Sequence, residues 1–331
     1  MKAPRILAWE TTSSCNLNCL HCRASATSEP KQGELTTDEG RALLRELGSA
    51  GTKLVILSGG ESLMRPDVFD LARFGTGLGM RMTLASNGSL VTPEVAVRIK
   101  ESGIVRVSVS LDGVTPEMHD RFRGRDGAFA LALRGIRNLV EKRVPVQVNT
   151  TVAAMNVMQM DAFPDLLESL GVIAWHVFFL VPTGRGQDME PATVREYRSM
   201  LEGFHSVYRA ARMECKATCA PQFFRILAER GDPVHSKGCL AGSEFGFVSS
   251  TGVIQPCGFL QIPCGNIRED GFCAAWERSH TLRVLQDESS LKGKCGSCSQ
   301  RETCGGCRAR AFEMLGDLTE QPRLDQRTAS E

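Results

Sequence analysis

From residue 5 to about 182 the chain alternates short runs rich in β-branched and apolar residues with longer stretches whose apolar positions recur at helical spacing. The short runs predict strands at ILAWE (6–10), KLVILSG (53–59), MRMTLAS (80–86), VRVSVSLDG (105–113), VPVQVNTTV (144–152) and AWHVFFLVP (174–182). Between them lie helices with readable starts. Thr36 and Glu39 form a capping-box pattern, and Thr92-Pro93-Glu94 sets an N-cap before a proline at the first helical position. Six βα units predict an α/β fold in which a parallel sheet is covered by helices, a partial (β/α)6 barrel of the TIM type. Residues ~190–231 read as helical and lead to a Cys-rich C-terminal region, where FGFVSS-TG-VIQPC reads as a β-hairpin turning at Thr251-Gly252. The expected division is a barrel over 1–190, a helical bridge over 191–232, a small Cys-rich domain over 233–317 and a polar tail over 318–331.

In such barrels the chemistry sits at the C-terminal ends of the strands. The polar irregularities of the first half all fall there. They are a Cys15/Cys19/Cys22 trio after the first strand, Ser58-Gly-Gly-Glu61 after the second, and Ser86-Asn-Gly88 after the third. Ser108 to Asp112 close the fourth, Asn149 to Thr151 lie in the fifth, and Pro182-Thr-Gly-Arg-Gly186 follow the sixth. Six such features in register describe one rim.

Composition narrows the class. With 331 residues, 42% of them hydrophobic, the chain buries a large core, and 39 basic against 38 acidic residues argue against dependence on nucleic-acid phosphates. No segment approaches the ~20 uninterrupted apolar residues of a membrane span, and MKAPRILAWE lacks the apolar core of a signal peptide, so a cytoplasmic enzyme without a membrane partner is expected. Thirteen cysteines, three before residue 23 and ten from Cys215 onward, make two thiol-dependent regions. Their C-x-x-C spacings favour metal over disulfides.

Cys15-x3-Cys19-x2-Cys22, placed after the first strand of a βα series, resembles the signature of the radical S-adenosylmethionine (SAM) superfamily, and the other rim motifs follow the family's order along essentially the whole chain. The resemblance implies that the three thiolates hold a [4Fe-4S] cluster whose fourth iron is left for the amino and carboxylate groups of SAM. These three cysteines are then the catalytic residues. His21 occupies the position beside the adenine, and Gly59-Gly60-Glu61 resembles the motif that meets the SAM amino group, its glycines allowing close backbone approach. Ser86 and Asn87 correspond to ribose contacts, and Ser110 with Arg123 to the pair holding the SAM carboxylate. A zinc role for His21 and a solvated surface role for Arg123 are the plain alternatives. Asp112 is read as ordering the turn at Gly113, and Asn149, Thr150 and Thr151 as facing either cofactor or substrate.

The C-terminal region resembles the SPASM/twitch extension that houses auxiliary iron–sulfur clusters. Cys239, Gly252 and Cys257, then Cys295-x2-Cys298-x5-Cys304-x2-Cys307, follow its order. Cys239, Cys257 and Cys307 would form one auxiliary site with either Cys219 or Cys264. Cys295, Cys298 and Cys304 would form another whose fourth ligand is Asp325, a distant cysteine, or none, because a cysteine expected near Pro322 is absent. A structural zinc in the Cys295–Cys307 knot is the alternative. The segments ILAWETTSSCNLNCLHCRASA, AWHVFFLVPTGRG, KATCAPQFFRIL, CGNIRE and CGGCRARAF are similar to the branch of the family that decarboxylates iron-coproporphyrin III to haem b. That resemblance implies a small-molecule substrate, an external electron donor such as flavodoxin or ferredoxin, and Arg185, Arg308 and Arg310 either pairing with substrate carboxylates or lying at the surface. It leaves His176 either as a haem ligand or as a packed strand residue. The competing reading is a peptide maturase or a small-molecule or sugar dehydrogenase of the same extension class.

Overall fold

The computed structural model describes residues 3–190, 192–234 and 237–320. Asp325 and Pro322 lie outside them. Six strands, β1 (Ile6–Glu10), β2 (Leu54–Ser58), β3 (Arg81–Ser86), β4 (Ile104–Ser110), β5 (Val146–Val152) and β6 (Ala174–Phe179), lie side by side in parallel and in sequence order. β7 (Glu214–Thr218) continues the sheet beyond β6, and at the other side β8 (Phe245–Val248) pairs parallel with β1 before β9 (Ile254–Gln255) closes an antiparallel hairpin. The hairpin of the Cys-rich region therefore shares the main sheet, and Gly252 takes its turn at φ 87°.

Helices α1 (Thr37–Ser49), α2 (Val68–Gly77) and α3 (Pro93–Glu101) follow β1, β2 and β3, while α4 (Pro116–Arg123) and α5 (Ala128–Glu141) both follow β4. α6 (Phe163–Ser169), α7 (Val194–Ala210) and α8 (Gln222–Glu229) follow β5, β6 and β7. The Thr36–Glu39 capping box forms in full, and Thr92 caps α3 through Val95 N. Strand parity explains the layering. Successive side chains point to opposite faces, so Val107, Val109, Val146, Val148, Trp175 and Val177 enter the buried layer beneath the helices. Arg106, Ser108, Ser110, Gln147, Asn149, Thr151, His176 and Phe178 take the inner face.

Two expectations are corrected. The fourth strand ends at Ser110 rather than 113, because Asp112 leaves the ladder to accept Thr151 N at 2.7 Å. The bridge over 191–232 is not wholly helical: Glu214-Cys-Lys-Ala-Thr218 forms β7. A five-residue run carrying two charges has almost no apolar periodicity, yet suits an edge strand with one neighbour.

Candidate active site

After β1 the backbone folds into a loop that carries the cysteine trio and is clamped from two sides. The segment following β2 clamps it first, through Gly60 N to Thr12 O (2.8 Å) and Glu61 N to Ser14 O (2.7 Å). A Cβ on Gly59 would stand 2.6 Å from Thr12 O, and one on Gly60 2.6 Å from Ser13 O and on top of Ser14 O. These glycines are thus demanded by the protein's own cysteine loop. Arg185 clamps the other side, its Nε on Cys19 O and Nη1 on Ala26 O, both at 2.9 Å, while its backbone N–H reaches Cys22 O.

The thiols face polar donors. Leu17 N meets Cys15 Sγ and Ala26 N meets Cys22 Sγ, each at 3.4 Å, and Arg123 Nη1 lies 3.7 Å from Cys19 Sγ. Burial pushes Cys15 up to about 11 and raises Cys19 against the pull of Arg123, so without metal both carry their protons at neutral pH. Deprotonation has to accompany metal binding.

Around the loop the rim residues interlock. Glu61 is fully buried, with Oε2 accepting Asn87 N (2.7 Å) and Oε1 accepting Leu63 N (3.2 Å). Asn87 Nδ2 donates to Asn16 Oδ1 (2.8 Å), tying β3 to the cysteine loop, and Ser86 Oγ accepts Gly88 N. Ser110 sits on the inner face in register with Asn149. Arg123 is not a surface residue, being only 7% exposed. Its Nη2 pairs with Asp112 Oδ2, so Asp112 does more than order the Gly113 turn. Asp112 also lies 3.9 Å from His21 Nε2, and its backbone N–H donates to His119 Nδ1. The His21 ring rests on Phe122 at 4.6 Å, and burial followed by the Arg123 charge lowers its pKa well below the usual histidine range, keeping it neutral.

Thr150 turns away from the site, donating to Leu111 O and accepting from Trp175 Nε1, whereas Asn149 and Thr151 face inward. His176 is not available as an iron ligand: Nδ1 meets Gln147 Nε2 at 3.0 Å and Nε2 meets Glu214 Oε1 at 3.1 Å. Asn16 and His119 are site residues that motif spacing did not identify, and Asp112, placed on the rim by its position, has Arg123 as a partner that the sequence did not disclose. Nothing in the local sequence of Asn16 or His119 distinguishes them from loop and helix polar residues.

The residues fit an iron–sulfur cluster with an organic ligand beside it. Three thiols share one short loop under a buried cation, and Arg123 Nε, His21 Nδ1 and Arg185 Nη2 are buried without a protein partner. Among the described residues no group of three His, Cys, Asp or Glu is set to hold a single metal ion. A cuboidal cluster spreads its ligands over several irons and does not require that convergence. A cleft of about 500 Å³ adjoins the loop, lined by Leu20, Arg121, Met155, Arg185, Asp188 and Glu190 among others.

The radical SAM superfamily family model matches residues 9–170. The chain is 46% identical, over 96% of its length and 95% of the relative's, to the AdoMet-dependent heme synthase of Methanosarcina barkeri. The chain belongs to the radical SAM superfamily. It is also 31% identical to mycofactocin maturase MftC of Mycobacterium tuberculosis, over 94% of this chain and 80% of that one. The solved structure of Streptococcus suis SuiB bound to S-adenosylmethionine shares the fold, with a TM-score of 0.75 at 17% identity over 98% of this chain and 78% of that one.

In this radical SAM enzyme most of the later thiols gather into two groups. Cys219, held at φ 59°, meets Cys307 thiol to thiol, and Cys239 and Cys257 complete the group. Burial drives Cys257 up to about 12. Cys264 stays apart, its Sγ on Ile262 O, so of the two alternatives for the fourth thiol Cys219 has the geometry. Cys295, Cys298 and Cys304 form the other group, where Arg308 Nη2 lies 3.4 Å from Cys295 Sγ. Cys307 has turned to the first group, which breaks up the four-cysteine zinc knot.

Arg308 and Arg310 are neither surface residues nor free to pair with substrate: both are buried and committed to backbone carbonyls. Arg185 keeps only Nη2 uncommitted, and that nitrogen is buried. No helix among the described residues is long and apolar enough to cross a membrane.

Proposed function

We propose that the protein is an AdoMet-dependent haem synthase, converting two propionates of iron-coproporphyrin III to the vinyl groups of haem b. The observation that carries this reading is the 46% identity to the Methanosarcina enzyme, which runs through barrel and Cys-rich region alike, against 31% to the peptide maturase. With a [4Fe-4S] cluster on Cys15, Cys19 and Cys22, reductive cleavage of SAM supplies a 5′-deoxyadenosyl radical that removes hydrogen. Loss of that hydrogen from the propionate carbon next to the ring, then of the bond to the carboxylate carbon, leaves an alkene, CO2 and one electron, which a cluster held by the later cysteines would accept.

The chain's own groups hold the reactants. His21, neutral and seated on Phe122, is a flat wall for the adenine. Arg123 offers Nε to the SAM carboxylate while Asp112 and Cys19 hold its other nitrogens, and Ser110, on the inner face of β4, would share that carboxylate. The buried Glu61 receives the SAM amino group beside Gly59 and Gly60, and Ser86 and Asn87 take the ribose. The cleft beside the cysteine loop, where Arg121 and Arg185 stand with Asp188 and Glu190, is the place for the substrate. Cys219, Cys239, Cys257 and Cys307 hold an auxiliary cluster, and Cys295, Cys298 and Cys304 a second. The first electron comes from a flavodoxin or ferredoxin in the cytoplasm.

Anaerobically reconstituted protein given SAM, reductant and iron-coproporphyrin III is expected to release two CO2 per haem b. Replacing Cys15, Cys19 and Cys22 by Ala is expected to abolish 5′-deoxyadenosine. Deoxyadenosine formation by the intact protein with no decarboxylated porphyrin would overturn the substrate assignment.

A further inference from the structure

The helix after Cys307, Arg308–Leu315, buries an arginine that no carboxylate among the described residues meets. Arg310 is 3% exposed. Its Nη1 donates to Cys219 O (3.0 Å) and reaches Tyr197 Oη (3.5 Å), and its Nη2 donates to Leu180 O (3.0 Å) and Phe179 O (3.2 Å). The guanidinium lies over the Tyr197 ring, 5.3 Å from its centre. Every one of these acceptors is neutral, since burial also keeps the Tyr197 phenol protonated. Among the described residues no Asp or Glu forms an ion pair with it, unlike Arg123, which has Asp112, and Arg65, which has Asp67.

A guanidinium taken out of water against neutral dipoles alone is costly. The thiols beside it are Cys219 and Cys307, which are thiolates when they hold iron. We propose that Arg310 is the fixed counter-charge of the iron–sulfur cluster held by Cys219, Cys239, Cys257 and Cys307, and that it raises the reduction potential of that cluster. Reduction adds one negative charge, and a cation fixed in a low-dielectric surround stabilises the reduced form over the oxidised one. The two carbonyls it binds at the end of β6 anchor the same guanidinium to the barrel rim. The proposal rests on the reading that this thiol group holds a cluster. It gives that reading a purpose in a reaction that must dispose of one electron for each CO2.

The test is a redox titration followed by electron paramagnetic resonance on the full chain carrying Ala at Cys15, Cys19 and Cys22, which silences the SAM-binding cluster. The signal of interest is assigned by its loss in Cys257→Ala. Arg310→Gln is expected to retain that signal with a midpoint shifted to more negative potential, and Arg310→Lys to return most of the shift. An Arg310→Gln protein with its cluster loaded and its midpoint unchanged would overturn the proposal, as would equal shifts in both variants. Loss of the signal in both variants would also overturn it, making Arg310 a scaffold for the thiol cradle. If Gln loses the signal but Lys keeps it near the wild-type midpoint, the charge is what matters and the proposal stands. No substrate enters the measurement, so its outcome is independent of whether iron-coproporphyrin III is decarboxylated; absence of any such signal in the parent protein would remove the cluster assignment and the proposal together.

Discussion

Gly60→Ala is the sharpest test of the idea that the glycines after β2 serve the cysteine loop. The added methyl would sit 2.6 Å from Ser13 O and on Ser14 O, both backbone atoms with no rotamer to escape into. The two segments must part, and parting strains or breaks Gly60 N to Thr12 O and Glu61 N to Ser14 O. Each such bond contributes ~1 kcal/mol net, and forced overpacking costs ~1–3 kcal/mol, for a total of about 3–5 kcal/mol. The displaced atoms neighbour Cys15, so iron binding should suffer as well as stability. Gly77→Ala is the control, because nothing lies within 4 Å of its Cβ and the residue ends α2. That variant should match or slightly exceed wild type, as alanine favours helix by ~0.5–1 kcal/mol. Anaerobic denaturation midpoints and iron retained after desalting provide the comparison. A Gly60→Ala protein with the iron content and midpoint of Gly77→Ala would refute the clamp.

Two further outcomes follow from the buried charges. Asp112→Asn keeps an acceptor for Thr151 N but strips Arg123 of its carboxylate; leaving a buried charge unpaired costs ~3–5 kcal/mol, readable as a lowered denaturation midpoint, and an unchanged midpoint would show the pair to be dispensable. His119 is the second case: burial, then the Arg123 charge, lowers its pKa from 6.5 to about 3, so the folded state refuses a proton that the unfolded chain accepts. Its contribution is therefore intact above pH 6.5 and is lost as pH falls from there toward 3, at ~1.4 kcal/mol per unit, or about 2 kcal/mol by about pH 5. His119→Asn, whose Oδ1 can accept the Asp112 N–H, should flatten that part of the stability profile; a variant with the wild-type slope would refute the assignment.

Which features the sequence disclosed, and which it did not, follows the range of the interactions involved. β1 to β6 were readable because a strand buried under helices shows its parity locally: in VRVSVS and VPVQVN the valines mark one face and the polar residues the other. The same parity separates Thr150 from Asn149 and Thr151 at the end of β5. β7 was unreadable for the opposite reason, since an edge strand with charged alternate residues lacks a buried face to announce it. The SAM-side motifs were legible as a set through their order along the rim. The partner of each residue was not, and the glycine pair shows why: the need for a close approach is local, but the backbone approached lies more than forty residues away in sequence.

The long side chains mark the deeper limit. Arg185, Arg308 and Arg310 look equivalent in a sequence, each a cation near a functional loop, yet one clamps the cysteine trio, one reaches Cys295 and one spans from Cys219 to the end of β6. An arginine's destination is set by which carbonyls or anions the fold leaves unsatisfied, and those arise between elements distant in the chain. The converse inference runs well. Once the fold is known, a buried guanidinium that has met only neutral acceptors, as Arg310 has, points to the anion that balances it. Charge balance thus identifies a cofactor's neighbours where motif spacing identifies only its ligands, and the choice of Cys219 over Cys264 agrees with it, because Arg310 donates to the carbonyl of Cys219 itself.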